Sequence, residues 1–146
     1  MTAAELPFFV YGTLRPGESN HARFLAGRTA GGEPARLPGA ALHDGPGYPY
    51  AVCDPRGGEV AGELVHAAPG AYAGLLAVLD RLEDFHGPGH PRNLYERVAR
   101  EVVRVRDGAR VAAWVYVAAA GAVPGPRIPA GDWLSRRPVR GAPRTP

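Results

Sequence analysis

Glycine and proline interrupt most of this chain, so only one long segment has the periodicity of a helix. Residues 72–84 repeat apolar side chains at helical spacing, after Pro69 and before Gly87-Pro88-Gly89. Proline suits a first helical turn, whereas a Gly-Pro-Gly run ends a helix. From residue 31 to residue 54 glycine and proline recur too often for another long helix. The rest of the fold is therefore expected to consist mainly of short strands.

Several short segments are rich in β-branched and aromatic residues, which is typical of strands. We predict strands over residues 6–10, 39–42, 50–53 and 60–66, and a short helix over residues 20–26 that Ser19 caps and Gly27 ends. Two valine-rich runs, residues 95–105 and 110–118, flank Asp107-Gly108, a dipeptide suited to a tight hairpin turn. We expect these two runs to pair antiparallel.

The length of 146 residues fits one domain with a substantial core. We find no internal repeat and no second domain, and we assign residues 1–118 to the folded domain. Glycine, proline and arginine dominate residues 119–146. We therefore predict a partly irregular tail with a local anchor at residues 128–134.

Charge and cysteine usage narrow the functional classes. The net charge is +3, but the basic residues are all arginines, dispersed and not interleaved with aromatic residues, so a nucleic-acid partner is not expected. Cys53 is the only cysteine, which excludes an internal disulfide and fits a reducing compartment. No stretch approaches the ~20 apolar residues that span a bilayer, and no secretion signal begins the sequence. We predict a cytoplasmic protein without a membrane partner.

One carboxylate of the predicted helix lies on its apolar side. At about 100° per residue, Glu83 falls between Leu76 and Leu79, where the core should be. A carboxylate that loses hydration must find a partner or take up a proton, and a raised pKa suits proton transfer near neutrality. The remaining charged residues of this segment fall toward solvent and are predicted to be ordinary surface charges: Asp80, Arg81 and Asp84.

A structural role for Glu83 stays open at this point. The helix could fray at its end, so that the glutamate reaches water or pairs with an arginine such as Arg97. Two other constellations are weaker candidates for chemistry. Cys53 has no nearby His/Asn signature and is read as a small core residue. Glycine and proline separate His86 from His90, so their spacing of four does not make a helical metal pair, and we predict no metal site.

The first predicted strand runs into Tyr11-Gly12-Thr13-Leu14-Arg15-Pro16-Gly17. Glycine permits a close backbone approach, and backbone N–H groups in such a turn can face an oxygen-bearing ligand. The segment lacks the G-x-x-x-x-G-K-[ST] pattern of a phosphate loop. It is therefore a possible anion cradle and, equally, an ordinary turn.

Three segments together resemble the γ-glutamyl cyclotransferase-like (AIG2-like) family. They are Tyr11-Gly12-Thr13-Leu14-Arg15, the run Leu79-Asp80-x-Leu82-Glu83-Asp84-Phe85, and Tyr95-Glu96-Arg97, in matching order and spacing. The chain is most similar to the γ-glutamylamine cyclotransferase branch, from which it departs at Arg15, where that branch has lysine, and at Ser19, where it has proline. Substrate preference is therefore not carried over.

The resemblance implies an α+β fold, a small mixed β-barrel flanked by helices, and an enzyme without a cofactor. It implies a small-molecule γ-glutamyl substrate, from which intramolecular aminolysis releases 5-oxoproline and an amine, with Glu83 as the acid–base. The alternative is a member of the same fold that only binds a ligand or partner. The residues that the resemblance places in substrate binding are Tyr11, Gly12, Thr13, Leu14 and Arg15, with Tyr48 and Tyr116 as further pocket residues. For Tyr116, a core aromatic role is an equal alternative, and Tyr95 and Arg97 are read as structural or substrate-orienting.

Overall fold

A computed structural model describes residues 5–15, 18, 25, 27–56 and 58–135. The predicted helix over residues 20–26 lies almost wholly outside these residues. The strands are β1 (Phe8–Val10), β2 (Thr29–Pro38), β3 (Ala40–His43), β4 (Tyr50–Cys53), β5 (Glu59–Ala67), β6 (Tyr95–Arg104) and β7 (Arg110–Ala118). A helix, α1 (Tyr72–Leu82), separates β5 from β6, and a 3₁₀ turn covers Trp133–Ser135.

Five strands form a closed barrel in the order β1-β5-β2-β6-β7, and β3 pairs with β4 as a separate hairpin. The barrel closes where β1 lies parallel to β7, with Phe8 beside Trp114, while the other neighbouring strands run antiparallel. This one parallel pair makes the barrel mixed. The α+β barrel expected from the resemblance is confirmed, and so is the antiparallel pairing of β6 and β7 across residues 105–109.

The strand β2 was missed by the sequence analysis. It contains two glycines and two prolines, the features that argued against regular structure in this region. The strand is possible because it pairs with β5 over most of its length, whereas its register with β6 is confined to Ala35 and Arg36. Proline lacks the N–H that a ladder needs, and an incomplete ladder on one side tolerates that loss. Tertiary pairing therefore overrides local composition here.

Two apolar clusters share the strand β1. The barrel interior holds Phe9, and the space between the barrel and α1 holds Phe8 and Val10, because successive strand residues point to opposite faces. On α1 the fully buried residues are Leu75 and Leu79, whereas Leu76 is only partly buried. The first strand thus joins the barrel core to the helix, and the chain leaves it directly into the loop that follows.

The segment after β7 contributes to the barrel core. Ile128 and Trp133 are buried there, and the Ala61 N–H donates to the carbonyl of Gly131 over 2.7 Å. A Cβ at residue 131 would lie 2.2 Å from the Glu59 carbonyl oxygen, and φ there is +67°, so glycine is required. The local anchor expected at residues 128–134 is present, while the domain boundary at residue 118 stays a prediction. No helix among the described residues is long and apolar enough to cross a membrane.

Candidate active site

An open pocket lies where the loop after β1 meets the end of α1, the start of β6 and the connection between β3 and β4. The empty space of the pocket, its open mouth included, is about 370 Å³. The residues that line it are Phe9, Val10, Tyr11, Gly12, Thr13, Leu14, Tyr48, Pro49, Glu83, Tyr95 and Tyr116. Most of the residues predicted for the site are therefore brought together, although they come from distant parts of the chain.

The loop at residues 11–15 forms a tight turn in which the Arg15 N–H donates to the Gly12 carbonyl over 3.0 Å. Gly12 lies directly against Pro49, since a Cβ at residue 12 would be only 2.8 Å from the proline Cδ. Glycine is thus needed for close approach between the loop and the pocket wall rather than for a left-handed backbone. This contact holds the loop backbone at the pocket.

Glu83 is the C-cap of α1, one residue beyond the last helical turn. The Phe85 N–H reaches back to the Asp80 carbonyl, and Asp84 adopts a left-handed φ of +56°, which turns the chain out of the helix as in a Schellman motif. The helix therefore ends before Gly87-Pro88-Gly89, earlier than predicted. The cap directs the Glu83 side chain to the pocket while Asp84 stays exposed.

The Glu83 carboxylate has no hydrogen-bond or ion-pair partner within the described residues, so the pairing with Arg97 that the sequence left open is not found. Burial raises the pKa of Glu83 to about 7. The physical cause is desolvation, which disfavours the charged form of a carboxyl group. A group with this pKa exchanges its proton readily near neutral pH.

Four tyrosines line the pocket, and the hydroxyls of three of them donate their proton to a protein acceptor. Tyr11 donates to the carbonyl of Tyr116 and accepts from the Ala51 N–H; Tyr95 donates to the Pro49 carbonyl over 2.6 Å. The Tyr116 hydroxyl donates to a carboxylate, over 2.6 Å to Oδ1 of Asp80. Carbonyls and carboxylates only accept, so the direction of these bonds is determined. Burial is the largest cause that raises the pKa of all three phenols; the hydrogen bond to Asp80 follows for Tyr116, and the charge of Glu83 contributes to each.

Asp80 corrects the sequence analysis, which treated it as an ordinary surface charge. Arg97 on β6 donates to it twice, from Nε over 2.8 Å and from Nη2 over 3.2 Å. The guanidinium lies over the rings of Phe85 and Trp114, with centroids at 5.1 and 4.4 Å. The Asp80 side chain is 23% exposed. The helical wheel missed this because the strand that supplies Arg97 fills the side of α1 that would otherwise face water.

Arg15 belongs to a different cluster and does not line the pocket. It is buried behind the loop, where Nη1 lies 2.7 Å from Asp132 and Nη2 lies 3.3 Å from Glu63. These contacts attach the loop to β5 and to the segment that follows residue 128. The predicted role of Arg15 in substrate binding stays a prediction, and its observed contacts are with protein carboxylates.

The sequence analysis did not anticipate Phe9 and Val10 as pocket residues, although their place directly before the loop motif is a signal for it. Tyr95 also lines the pocket, as an orienting residue would. The rings of His86 and His90 lie 5.1 Å apart, and both residues are exposed. Cys53 is exposed at the end of β4, so its interpretation as a core residue was wrong. Within the described part of the chain, no group of three or more His, Cys, Asp or Glu could hold a metal ion.

Comparisons with known proteins agree with this geometry. The family model described as "Gamma-glutamyl cyclotransferase, AIG2-like" matches residues 8–135. Over 109 residues the chain is 35% identical to the gamma-L-glutamyl-butirosin B gamma-glutamyl cyclotransferase of Niallia circulans, a match that covers 75% of this chain and 64% of that protein. The chain thus matches less than two thirds of this relative's length.

Solved structures share the barrel. The crystal structure of an AIG2-like protein from Mus musculus is 25% identical with a TM-score of 0.64, over 90% of this chain and 84% of that one. A solution structure of a protein from Arabidopsis thaliana is 31% identical with a TM-score of 0.58, over 81% and 66% of the two chains. By its sequence match along most of its length and by its fold, the chain belongs to the gamma-glutamyl cyclotransferase, AIG2-like family.

Proposed function

We propose that this protein is a γ-glutamyl cyclotransferase that converts a γ-glutamyl amide into 5-oxoproline and a free amine, with Glu83 as acid–base. The observation that carries the proposal is the Glu83 carboxylate, which lacks a protein partner among the described residues and shares one pocket with the backbone of the loop at residues 12–14. A partly buried carboxyl group of pKa about 7 is suited to accept and return a proton in the same reaction.

The reaction would be an intramolecular aminolysis. The α-amine of the γ-glutamyl group attacks its own γ-carbonyl, a C–N bond closes the five-membered lactam, and the C–N bond to the leaving amine breaks. The ammonium gives up two protons, and the leaving nitrogen gains two when it departs as an ammonium ion. Glu83 as carboxylate takes a proton from the attacking amine and returns it to the leaving nitrogen. Because nucleophile and electrophile belong to one molecule, the pocket's main task is to hold the attacking conformation.

The charge of the pocket supports a substrate with a free amine. None of the described residues that line the pocket is cationic, and its polar side chains include Glu83 and the hydroxyl oxygens of Tyr95 and Tyr116. Acceptors of this kind suit an ammonium group. We assign the loop at residues 12–14 to the negatively charged part of the substrate. Its backbone amides would bind the substrate α-carboxylate or the oxyanion that forms during attack.

The leaving amine is not specified by this pocket. The Niallia circulans relative is named for a γ-glutamyl group carried on butirosin B. We propose the shared chemical class, a small molecule that carries a γ-glutamyl amide, and a cytoplasmic setting that suits the single exposed, unbridged cysteine, Cys53. A binding protein of the same fold is the alternative; the Glu83 carboxylate, without a partner among the described residues and with a pKa of about 7, favours the enzyme.

The experiment is a turnover assay on a panel of γ-glutamyl amines, γ-glutamyl amino acids and γ-glutamylated aminoglycosides, with 5-oxoproline as the measured product. We expect release from at least one class without added metal or cofactor. The Asp84→Asn variant is the matched control, because Asp84 neighbours Glu83 but is exposed. Tight binding of a γ-glutamyl compound with no 5-oxoproline release from any member of the panel would instead support the binding protein.

A further inference from the structure

An ion pair beside the pocket is hydrogen-bonded to a residue that lines it. Oδ1 of Asp80 accepts hydrogen bonds from Nε of Arg97 and from the hydroxyl of Tyr116, at 2.8 and 2.6 Å. Oδ2 accepts from the second guanidinium nitrogen. The two-point contact with Arg97 fixes the plane and position of the carboxylate, because a guanidinium and a carboxylate match as a pair of parallel forks. Asp80 itself does not line the pocket, whereas Tyr116 does.

The orientation of the Tyr116 proton follows from this arrangement. A carboxylate that is paired with a guanidinium accepts hydrogen bonds and has no proton to donate. The Tyr116 hydroxyl must therefore donate its only proton to Asp80, and its lone pairs remain as acceptors for a ligand in the pocket. A neutral hydrogen-bonding neighbour would remove this constraint, because an amide at residue 80 could donate to the phenol oxygen and let the phenol proton turn to the pocket.

Arg97 is itself held in place from two sides. The guanidinium lies over the rings of Phe85, just beyond the helix cap, and of Trp114 on β7. Cation–aromatic contacts of this kind, partly shielded from water, stabilise a fixed guanidinium. Trp114 and Tyr116 both lie on β7. The Arg97 guanidinium, the Asp80 carboxylate and the Tyr116 hydroxyl are therefore all held against the same strand of the barrel.

We propose that Asp80, oriented by Arg97, is a positioning residue that keeps the Tyr116 hydroxyl as a hydrogen-bond acceptor for the attacking amine of the substrate. The inference rests on the proposed function and deepens it. An N–H of the amine donates to the Tyr116 oxygen while Glu83 takes the proton that must leave, and the nitrogen lone pair is then directed at the γ-carbonyl. No bond to Asp80 forms or breaks, and its effect on the reaction passes through Tyr116.

The test is a double-mutant cycle with Asp80→Asn and Tyr116→Phe, measured as kcat and KM on the best substrate of the panel, with Asp84→Asn as the matched control. We expect each single variant to lower kcat about ten- to hundredfold, the size of a hydrogen bond to a charged or oriented group. KM should change by less than about threefold, because orientation for attack is lost rather than the substrate's main binding contacts. Asp84→Asn should stay within about twofold of the wild type.

The double variant separates positioning from a merely structural role. If Asp80 acts through Tyr116, Asp80→Asn lowers kcat by no more than about twofold further in the Tyr116→Phe background. Fully multiplicative losses would overturn the inference. A folded Tyr116→Phe protein with wild-type kcat would also overturn the inference. This result can be measured even if the Asp80→Asn variant does not fold. A wild-type protein that turns over no γ-glutamyl compound would overturn the proposed function and this inference together, whereas an active enzyme with uncoupled variants overturns the inference alone.

Discussion

Two carboxylates near the end of α1, those of Glu83 and Asp80, lie in opposite environments. On the pocket side Glu83 has no ion-pair partner among the described residues, and burial raises its pKa to about 7. On the other side Asp80, three residues earlier, is bound by Arg97 and Tyr116. The chemistry of the two side chains is nearly identical. Their different roles come from whether β6 and β7 place a cation within reach.

This contrast shows how a small barrel can hold a titrating group without losing its fold. The Asp80–Arg97 pair joins α1 to the barrel, whereas Glu83 lies at the pocket without an ion-pair partner in the described part of the chain. Exchange of the two environments would reverse the roles. The predictions below test how far Glu83 and its pocket differ from their charged neighbours.

The largest expected effect is on turnover. Glu83→Gln keeps the size of the side chain but cannot exchange a proton, so we expect kcat to fall by about 10²–10⁴-fold. The measurement is 5-oxoproline release under saturating substrate. Asp84→Asn is the control, and Asp80→Asn is unsuitable as one because Asp80 contacts Tyr116. Equal losses in Glu83→Gln and Asp84→Asn would remove the distinction between the pocket carboxylate and its exposed neighbour.

The second effect is a pH dependence. Glu83 must be deprotonated to accept a proton from the amine, and burial raises its pKa to about 7. We therefore expect kcat/KM to rise about tenfold per pH unit well below that value, and about fiftyfold between pH 5 and pH 7. Initial rates from pH 5 to pH 9, with substrate well below KM, measure this limb. A flat profile across the range would show that the pocket side contains no essential group of raised pKa.

The third effect is on stability, and its pH dependence is opposite to that of activity. A folded-state pKa raised from 4.5 to about 7 contributes stability that is complete below about pH 4.5 and lost as pH rises through about 7. Glu83→Gln has no such loss. We expect the free energy of unfolding of the wild type to fall relative to the variant by about 3 kcal/mol between pH 4 and pH 8. Urea unfolding at both pH values tests this, and a constant difference would contradict the burial of Glu83.

The smallest effect concerns the loop. A methyl group at residue 12 would lie 2.8 Å from Pro49, so Gly12→Ala should displace the loop or the pocket wall. We expect about tenfold weaker binding of a γ-glutamyl ligand, in line with the cost of overpacking. Gly74→Ala is the control, since a Cβ there meets open space on α1. Calorimetric affinities that are equal for the two variants would show that the approach of Gly12 to Pro49 does not shape the site.

The local sequence pattern predicted those elements whose own residues show a regular apolar spacing or flank a turn dipeptide. The hairpin of β6 and β7 was readable because two valine-rich runs flank Asp107-Gly108, and α1 because its apolar spacing repeats. The strand β2 was not readable, since its glycines and prolines conceal a segment that becomes regular only when β5 pairs with it. In the site, the inward direction of Glu83 followed from helical spacing. Its role as acid–base came from the resemblance and stays a proposal.

The sequence by itself determined the family, one helix with an inward glutamate at its end, and the loop motif around Gly12. Each depends on residues that are close in the chain, where spacing and turn chemistry act directly. Only the tertiary structure decided that Asp80 is paired while Glu83 has no ion-pair partner among the described residues, and that Arg15 contacts Glu63 and Asp132 behind the loop. The physical reason is that a charged side chain takes its role from the groups packed against it. Those groups come from segments 17 to 117 residues away in the chain.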